Sequence, residues 1–376
     1  MYILWPFMRR EFRCRVALTL SLLAIAMGCA NAALSQVPTT LRLNQLQILG
    51  SHNSYRPYPS PLTEARMRQL SEEHWHELAY GHPPLEAQLA LGLRQFELDV
   101  GADPTGGLYA KPYDQARPEI QALMAAPGAK VLHFPNFDTD THCLTFRTCL
   151  AIFDRWSKAH PDHDPIVILV NSSDFPKTLG QLPHDANFDA STINELDADI
   201  AAVIGSERVI TPDMVRGKFP TLRDAVLAGN WPDIAHVRGH FLFVLDGNTN
   251  HEALYREGHP SLSGRLMFGF YDASEPEAAI FNIQDPVNEQ GHIRDLVQKG
   301  FIVRTRADAD TEEARVHDDS RMRAALASGA QLISTDYYAG VPDPLALNYT
   351  ADFQGPYFRC NPVVAHCAPQ PQIDNN

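Results

Sequence analysis

His52 lies in Gly50-Ser51-His52-Asn53-Ser54-Tyr55, directly after an apolar run, and His133 lies in Val131-Leu132-His133-Phe134-Pro135, at the end of another. An imidazole titrates near neutrality. One such group can take a proton from a nucleophilic hydroxyl while a second protonates the leaving oxygen or steadies developing charge. A lone histidine is more often structural, but two at the ends of separate strands, with acids between them, favour chemistry. Those acids are in Arg94-Gln95-Phe96-Glu97-Leu98-Asp99-Val100. On a strand, Phe96, Leu98 and Val100 share one face, and Glu97 and Asp99 share the other. Two acids on one face of a buried strand are costly unless a cation or donors compensate. With the amide oxygen of Asn53 they form a hard, oxygen-rich set suited to calcium or magnesium. The alternative is a carboxylate pair satisfied by arginine and backbone donors. Further along, Phe301-Ile302-Val303-Arg304-Thr305-Arg306-Ala307-Asp308 puts Arg304 and Arg306 on one face of a strand end. That suits a fork holding phosphate, or equally a pair neutralising the acidic centre.

Something must bring these groups together. The clearest strand-like runs are 45–49, 93–100, 130–134, 165–170, 240–245, 300–305 and 331–335, with weaker ones at 208–210, 266–270 and 279–283. Helical patterns cover 84–91, 144–159 and 318–328. About eight apolar strands, each followed by a helix or long loop, predict an α/β fold with a parallel sheet covered by helices. A (β/α)8 TIM-type barrel, distorted by insertions, fits the length and places polar residues at the carboxyl ends of strands, where such barrels carry their sites. A doubly wound open sheet is the competing architecture. No GxGxxG follows the first strand, which counts against it.

The first 32 residues read as a signal peptide: Arg9, Arg10, Arg13 and Arg15, an apolar run from Val16 to Met27, then Ala30-Asn31-Ala32. The run is short for a permanent anchor. Residues 33–376 then form a single barrel domain, secreted or periplasmic, with a lipoprotein anchor at Cys29 as the lesser alternative. The formal charge of the whole chain is -14, which argues against non-specific nucleic-acid binding. No protein partner is implied. Cys143, Cys149, Cys360 and Cys367 remain outside the leader, and their close spacing in two pairs predicts disulfides Cys143–Cys149 and Cys360–Cys367. Zinc is disfavoured, because its paired cysteines stand two to four residues apart.

Taken in order, GSHNSY at 50–55, HPPLEAQLALGLRQFELDV at 82–100, ADPTGGLYA at 102–110, VLHFPNFDTDTHC at 131–143, VRTRADADT at 303–311 and ASGAQLISTDYY at 327–338 resemble the calcium-dependent phosphoinositide-specific phospholipase C family of bacteria and fungi. The resemblance implies a distorted PLC-like phosphodiesterase barrel acting on a phospholipid at a membrane surface. It implies His52 as general base and acid, and His133 as the histidine that stabilises pentacoordinate phosphorus. Asn53, Glu97 and Asp99 become Ca2+ ligands. Arg304 and Arg306, on the fork reading of their shared face, are the candidate substrate-binding pair. Attack by the inositol 2-hydroxyl would release diacylglycerol and a cyclic inositol phosphate. One departure bears on the metal. Related enzymes carry a Glu at the end of the fourth strand; here the aligned residue is Asn171, with Asp174 three positions on. A barrel phosphodiesterase for glycerophosphodiesters or sphingolipids is the alternative, although the former usually begin with His-Arg rather than His-Asn. A headgroup-binding relative with weakened turnover is the second.

Overall fold

Ile166-Val167-Ile168-Leu169-Val170 and Phe241-Leu242-Phe243-Val244-Leu245 are buried on both faces. Each such side chain contributes about 1.5–3 kcal/mol when fully buried. Continuous apolar runs of this kind suit strands packed inside against a core and outside against helices. The computed structural model describes residues 38, 40–135, 137–172, 174, 187–353, 355 and 357–365. Its strands are β1 Leu46–Ser51, β2 Gln95–Gly101, β3 Lys130–Val131, β4 Ile166–Ser172, β5 Phe241–Asp246, β6 Met267–Gly269, β7 Ile280–Asn282, β8 Ile302–Arg306, β9 Leu332–Thr335 and β10 Phe358–Cys360.

They form two sheets, ordered β10-β1-β9-β8-β7 and β3-β2-β4-β5-β6. Within them β1, β2 and β4 to β9 are the eight strands of the barrel, their pairings all parallel, while β3 and β10 add antiparallel edges. The ladder is interrupted at two seams. At one, β6 and β7 meet among the described residues through the single bridge Phe270↔Ile280. At the other, β1 leans on β2 so closely that a Cβ at Gly50 would collide with the backbone of Gln95. The backbone amide of Ser54 crosses that seam to the carbonyl of Glu97 at 3.0 Å. This is the α/β barrel the sequence predicts, with its distortion located at the seams.

Two expected strands differ. The run 130–134 yields only the two residues of β3, paired antiparallel to β2, because the chain turns away before Pro135. His133 therefore sits on a loop rather than on a barrel strand. The run 208–210 is a 3-10 turn, Ser206–Arg208, followed by one bridge from Val209 to Phe241, cut short by Pro212 at the start of the next helix. The expected helices are present as Leu85–Leu91, Phe146–Ala159 and Ser320–Ser328. Cys143 is bonded to Cys149, which ties the loop after His133 to the helix that follows it. Cys360 is also disulfide-bonded. Cys367, Cys29 and the leader lie outside the described residues. Among the described residues no helix is long and apolar enough to cross a membrane.

Candidate active site

His52 follows the last residue of β1, and the backbone turns sharply at Asn53, whose φ is +48°. Asparagine tolerates this left-handed conformation better than most residues. The turn sends the two side chains different ways. The Nδ1 of His52 meets Oδ1 of Asp336 at 3.0 Å, just beyond the end of β9. Asp336 in turn accepts from Nη2 of Arg306 at 3.1 Å. An ionised Asp336 accepts the hydrogen bond of Nδ1–H and so leaves Nε2 of His52 with its lone pair. His82 steadies the arrangement from behind by donating through Nε2 to the carbonyl of His52 at 2.6 Å.

His133 repeats the plan. Its Nδ1 lies 2.7 Å from Oδ2 of Asp138, and the same oxygen accepts from Nε of Arg56 at 2.6 Å. Arg56 is wholly buried and packs over the ring of Tyr80 at 4.6 Å. The two rings keep 15% and 13% of their side-chain surface, whereas the carboxylates behind them have none. Each histidine is thus held by a buried acid and remains reachable. Burial lowers the pKa of both; Arg306 pushes His52 further down, while Asp138 partly offsets the shift at His133. Both rings are neutral at pH 7. Burial works to raise Asp138, but Arg56 and His133 override it and hold the carboxylate below its usual range.

The two rings share a cavity of about 290 Å3 with Tyr80, Arg306, Phe134 and Phe137. That is the small end of the range for ligand pockets and suits a headgroup rather than a whole lipid. The paired arginines part company here. They share a face of β8, as expected, but at different depths: Arg306 lines the cavity, and Arg304 is directed into the barrel. Arg304 donates through Nη2 to Oε2 of Glu97 at 2.7 Å, through Nη1 to Oδ1 of Asn282 at 3.2 Å and through Nε to Oγ of Ser334 at 3.0 Å.

Glu97 and Asp99 point inward from β2, beside His52 and Asn53. Burial raises Glu97, and Arg304 with His52 and Arg306 outweighs it, so its pKa lies below the usual range. Asp99 goes the other way, raised well above its ordinary value by burial and by Glu97. It accepts from Tyr55 at 3.0 Å and from Nδ2 of Asn171 at 3.0 Å. Asn171 therefore faces the same interior as Asp99, to which it is paired in register. Asp174 does not. Its carboxylate is taken up by His251 at 2.8 Å, Asn248 at 3.1 Å and the amide of Phe188 at 3.0 Å. Four residues absent from the sequence reading complete the picture: Asp336 and Asp138 behind the histidines, Arg56, and Asp246 at the end of β5. Burial, with Glu97 adding to it, pushes Asp246 up to about 7. An acid closing the apolar run Phe241–Leu245 was a visible signal for the last of these.

A barrel whose carboxyl-end mouth presents two acid-backed histidines beside a carboxylate cluster is the frame of a phosphodiesterase. The sequence model of the family "Phosphoinositide phospholipase C, Ca2+-dependent" matches residues 41–362, so the chain belongs to that family and is a phosphoric diester hydrolase. No curated protein sequence matches the chain. Its fold is similar to that of a calcium-dependent phosphoinositol-specific phospholipase C from Pseudomonas sp. in the apo form, at 15% identity and TM-score 0.53, covering 86% of this chain and 98% of that one. It is also similar to a Ca2+-dependent phosphatidylinositol-specific phospholipase C from Streptomyces antibioticus, at 18% identity and TM-score 0.52, covering 79% and 95%.

Calcium is the cofactor of that family, and the donors here suit it. Among the described residues no three His, Cys, Asp or Glu side chains are set as a ready-made metal cluster, since Glu97 turns to Arg304. The convergence is of mixed oxygens instead. Asn53, a residue only 2% exposed, sets its amide 3.2 Å from both carboxylate oxygens of Asp99, its nitrogen donating to them while its oxygen accepts from Tyr80 at 2.9 Å. Oxygens on one calcium ion, each bonded at 2.3–2.6 Å, stand roughly 3–3.5 Å apart. The same amide turned to present its oxygen would stand at that spacing from Asp99.

Proposed function

We propose that the protein is exported after loss of residues 1–32 and that residues 33–376 form one domain that cleaves a phosphoinositide-type phospholipid at a membrane surface. The observation that carries this reading is the pair of reachable histidines, each backed by a buried aspartate, across one headgroup-sized cavity. His52 Nε2 takes the proton of the inositol 2-hydroxyl as its oxygen bonds to phosphorus. The bond from phosphorus to the diacylglycerol oxygen breaks, and the proton is returned to that oxygen. Asp336 keeps His52 in the tautomer this requires and stabilises the imidazolium that forms. His133, fixed by Asp138, stabilises the pentacoordinate phosphorus, and Arg306 faces the phosphate from the cavity wall. Arg304 serves the site indirectly by holding Glu97 ionised.

Asn53, Glu97, Asp99 and Asn171 are the residues that would hold calcium. Bound there, it supplies positive charge that lowers the pKa of the attacking hydroxyl and offsets the charge on phosphate. The test is turnover of phosphatidylinositol, sphingomyelin and glycerophosphocholine by the purified protein with calcium, magnesium or EDTA. Phosphatidylinositol is expected to be cleaved in calcium alone, with phosphorus NMR showing a cyclic phosphate before any linear one. Cleavage of only the other two substrates overturns the headgroup assignment.

A further inference from the structure

Across three neighbouring strands, Asp99 on β2 is in register with Asn171 on β4, and Asn171 with Asp246 on β5. In-register residues of parallel strands point the same way. The contact of Asn171 with Asp99 shows that this way is inward. Strands lie about 4.8 Å apart, so the two aspartate Cα atoms stand roughly 10 Å apart with the amide between them. An aspartate side chain and a calcium bond of 2.3–2.6 Å span about half that gap from each side.

We propose that Asp246 is a calcium ligand, supplying from β5 the carboxylate that Asn171 does not supply on β4. The proposal rests on the calcium reading of Asn53, Glu97 and Asp99. Two observations carry it, beside the register of the three strands. Among the described residues no ion pair holds Asp246 or its row partner Asp99, whereas Asp336, Asp138 and Glu97, also in the mouth, each lie against an arginine. A relay aims Asp246 at the same interior as Glu97: its Oδ2 accepts from Asn282 at 3.1 Å, and Asn282 accepts from Arg304, which donates to Glu97. Asp174, the other acid near the end of β4, is committed to His251 and Asn248.

The test is a calorimetric calcium titration of the full protein, with thermal unfolding in EDTA and in calcium, on wild type, Asp246→Asn, Asp99→Asn and Asp246→Asn with Asn171→Glu. Terbium emission sensitised by Tyr55, whose hydroxyl is 3.0 Å from Asp99, gives a second binding readout. Asp246→Asn is nearly isosteric and can still accept from Asn282. It should weaken calcium binding by about tenfold or more and leave unfolding in EDTA unchanged or later. Adding Asn171→Glu should restore the affinity by moving the carboxylate back one strand. If Asp99→Asn loses calcium while Asp246→Asn binds like wild type, Asp246 is not a ligand and the calcium reading stands. Earlier unfolding of Asp246→Asn in EDTA, with affinity intact, assigns it a purely structural role and also overturns the proposal. A wild type that gives no calcium heat, no thermal shift and no terbium emission overturns the calcium reading itself.

Discussion

On the histidine side of the mouth, the carboxylates that touch the rings have arginines of their own: Arg306 for Asp336 at 3.1 Å and Arg56 for Asp138 at 2.6 Å. On the opposite side Glu97, Asp99 and Asp246 have Arg304 alone, and it binds Glu97. In the first half each ring-bound carboxylate has its own arginine as the chain folds, although burial still raises Asp336. The second is short of positive charge, and burial together with the charge of Glu97 raises Asp99 and Asp246. Groups that must keep one protonation state and one orientation through turnover are locked by protein partners. Groups that await a cation are left with a deficit that it would fill.

The comparison breaks most visibly at the rings. His52→Ala and His133→Ala should each lower kcat by about 10²–10⁴-fold while circular dichroism shows the fold retained. A variant with near-wild-type turnover removes that histidine from the mechanism. The pH profile follows from the same burial. Both folded-state values lie below the unfolded value near 6.5. Neutral histidine is therefore what the folded state favours, and this stability is present above about pH 6.5 and lost as pH falls below it. The raised Asp99 and Asp246 act in the opposite sense, so the histidine part is read by difference: the loss of urea stability from pH 7.5 to 5.5 should be smaller in a His52→Ala, His133→Ala double variant than in wild type, and the acid limb of kcat/KM should lie below 6.5.

A sharper contrast compares the two buried arginines. Arg56→Met leaves Asp138 buried without its cation, and Arg304→Met does the same to Glu97. Each should cost about 3–5 kcal/mol of stability in EDTA, read from denaturant midpoints. Calcium should recover a large part of the loss in Arg304→Met and almost none in Arg56→Met. Equal recovery in both would mean that the cation deficit is not confined to the acid side.

How legible this was depends on where each residue's partner lies. The strands β4 and β5 are plain in the sequence because burial on both faces leaves an uninterrupted apolar run. His52, Asn53, Glu97 and Asp99 could be picked out because their roles show in local spacing: a polar cluster after a strand, two acids on one face. Asp336 could not, since it stands 284 positions from the histidine it orients, and only closure of the barrel brings them together. Asp138 was near enough to see, five residues after His133, but a short acidic loop gives no sign of which carboxylate turns inward. The alternative for the acid pair, satisfaction by arginine, holds for Glu97 through Arg304, in line with the second of the two sequence readings of that arginine pair, neutralisation of the acidic centre. Strand parity gave their common face correctly and could not give their depth.

Asn171→Glu is the finest probe of the deficit. Its amide now donates to Asp99; a glutamate there removes the donor and sets a new carboxylate between Asp99 and Asp246 in the register of the three strands. Without calcium the variant should therefore unfold at a lower temperature than wild type. With calcium the added charge attracts the ion, by up to about 4 kcal/mol per unit-charge pair at 4 Å and an effective dielectric near 20. Desolvation and rearrangement of the ligands cut that heavily, which leaves an expected tightening on the order of tenfold. Calcium shells take six to eight oxygens, so the new ligand need not displace an old one. Asp174→Ala is the control: its carboxylate is held by His251, Asn248 and the amide of Phe188, so its calcium affinity should match wild type. Calorimetry on the three proteins reads the outcome. Unchanged affinity in Asn171→Glu would mean that the ion is bound away from β4, nearer to Asn53 and β1. Loss of affinity in Asp174→Ala would mean that Asp174 leaves His251 when calcium binds.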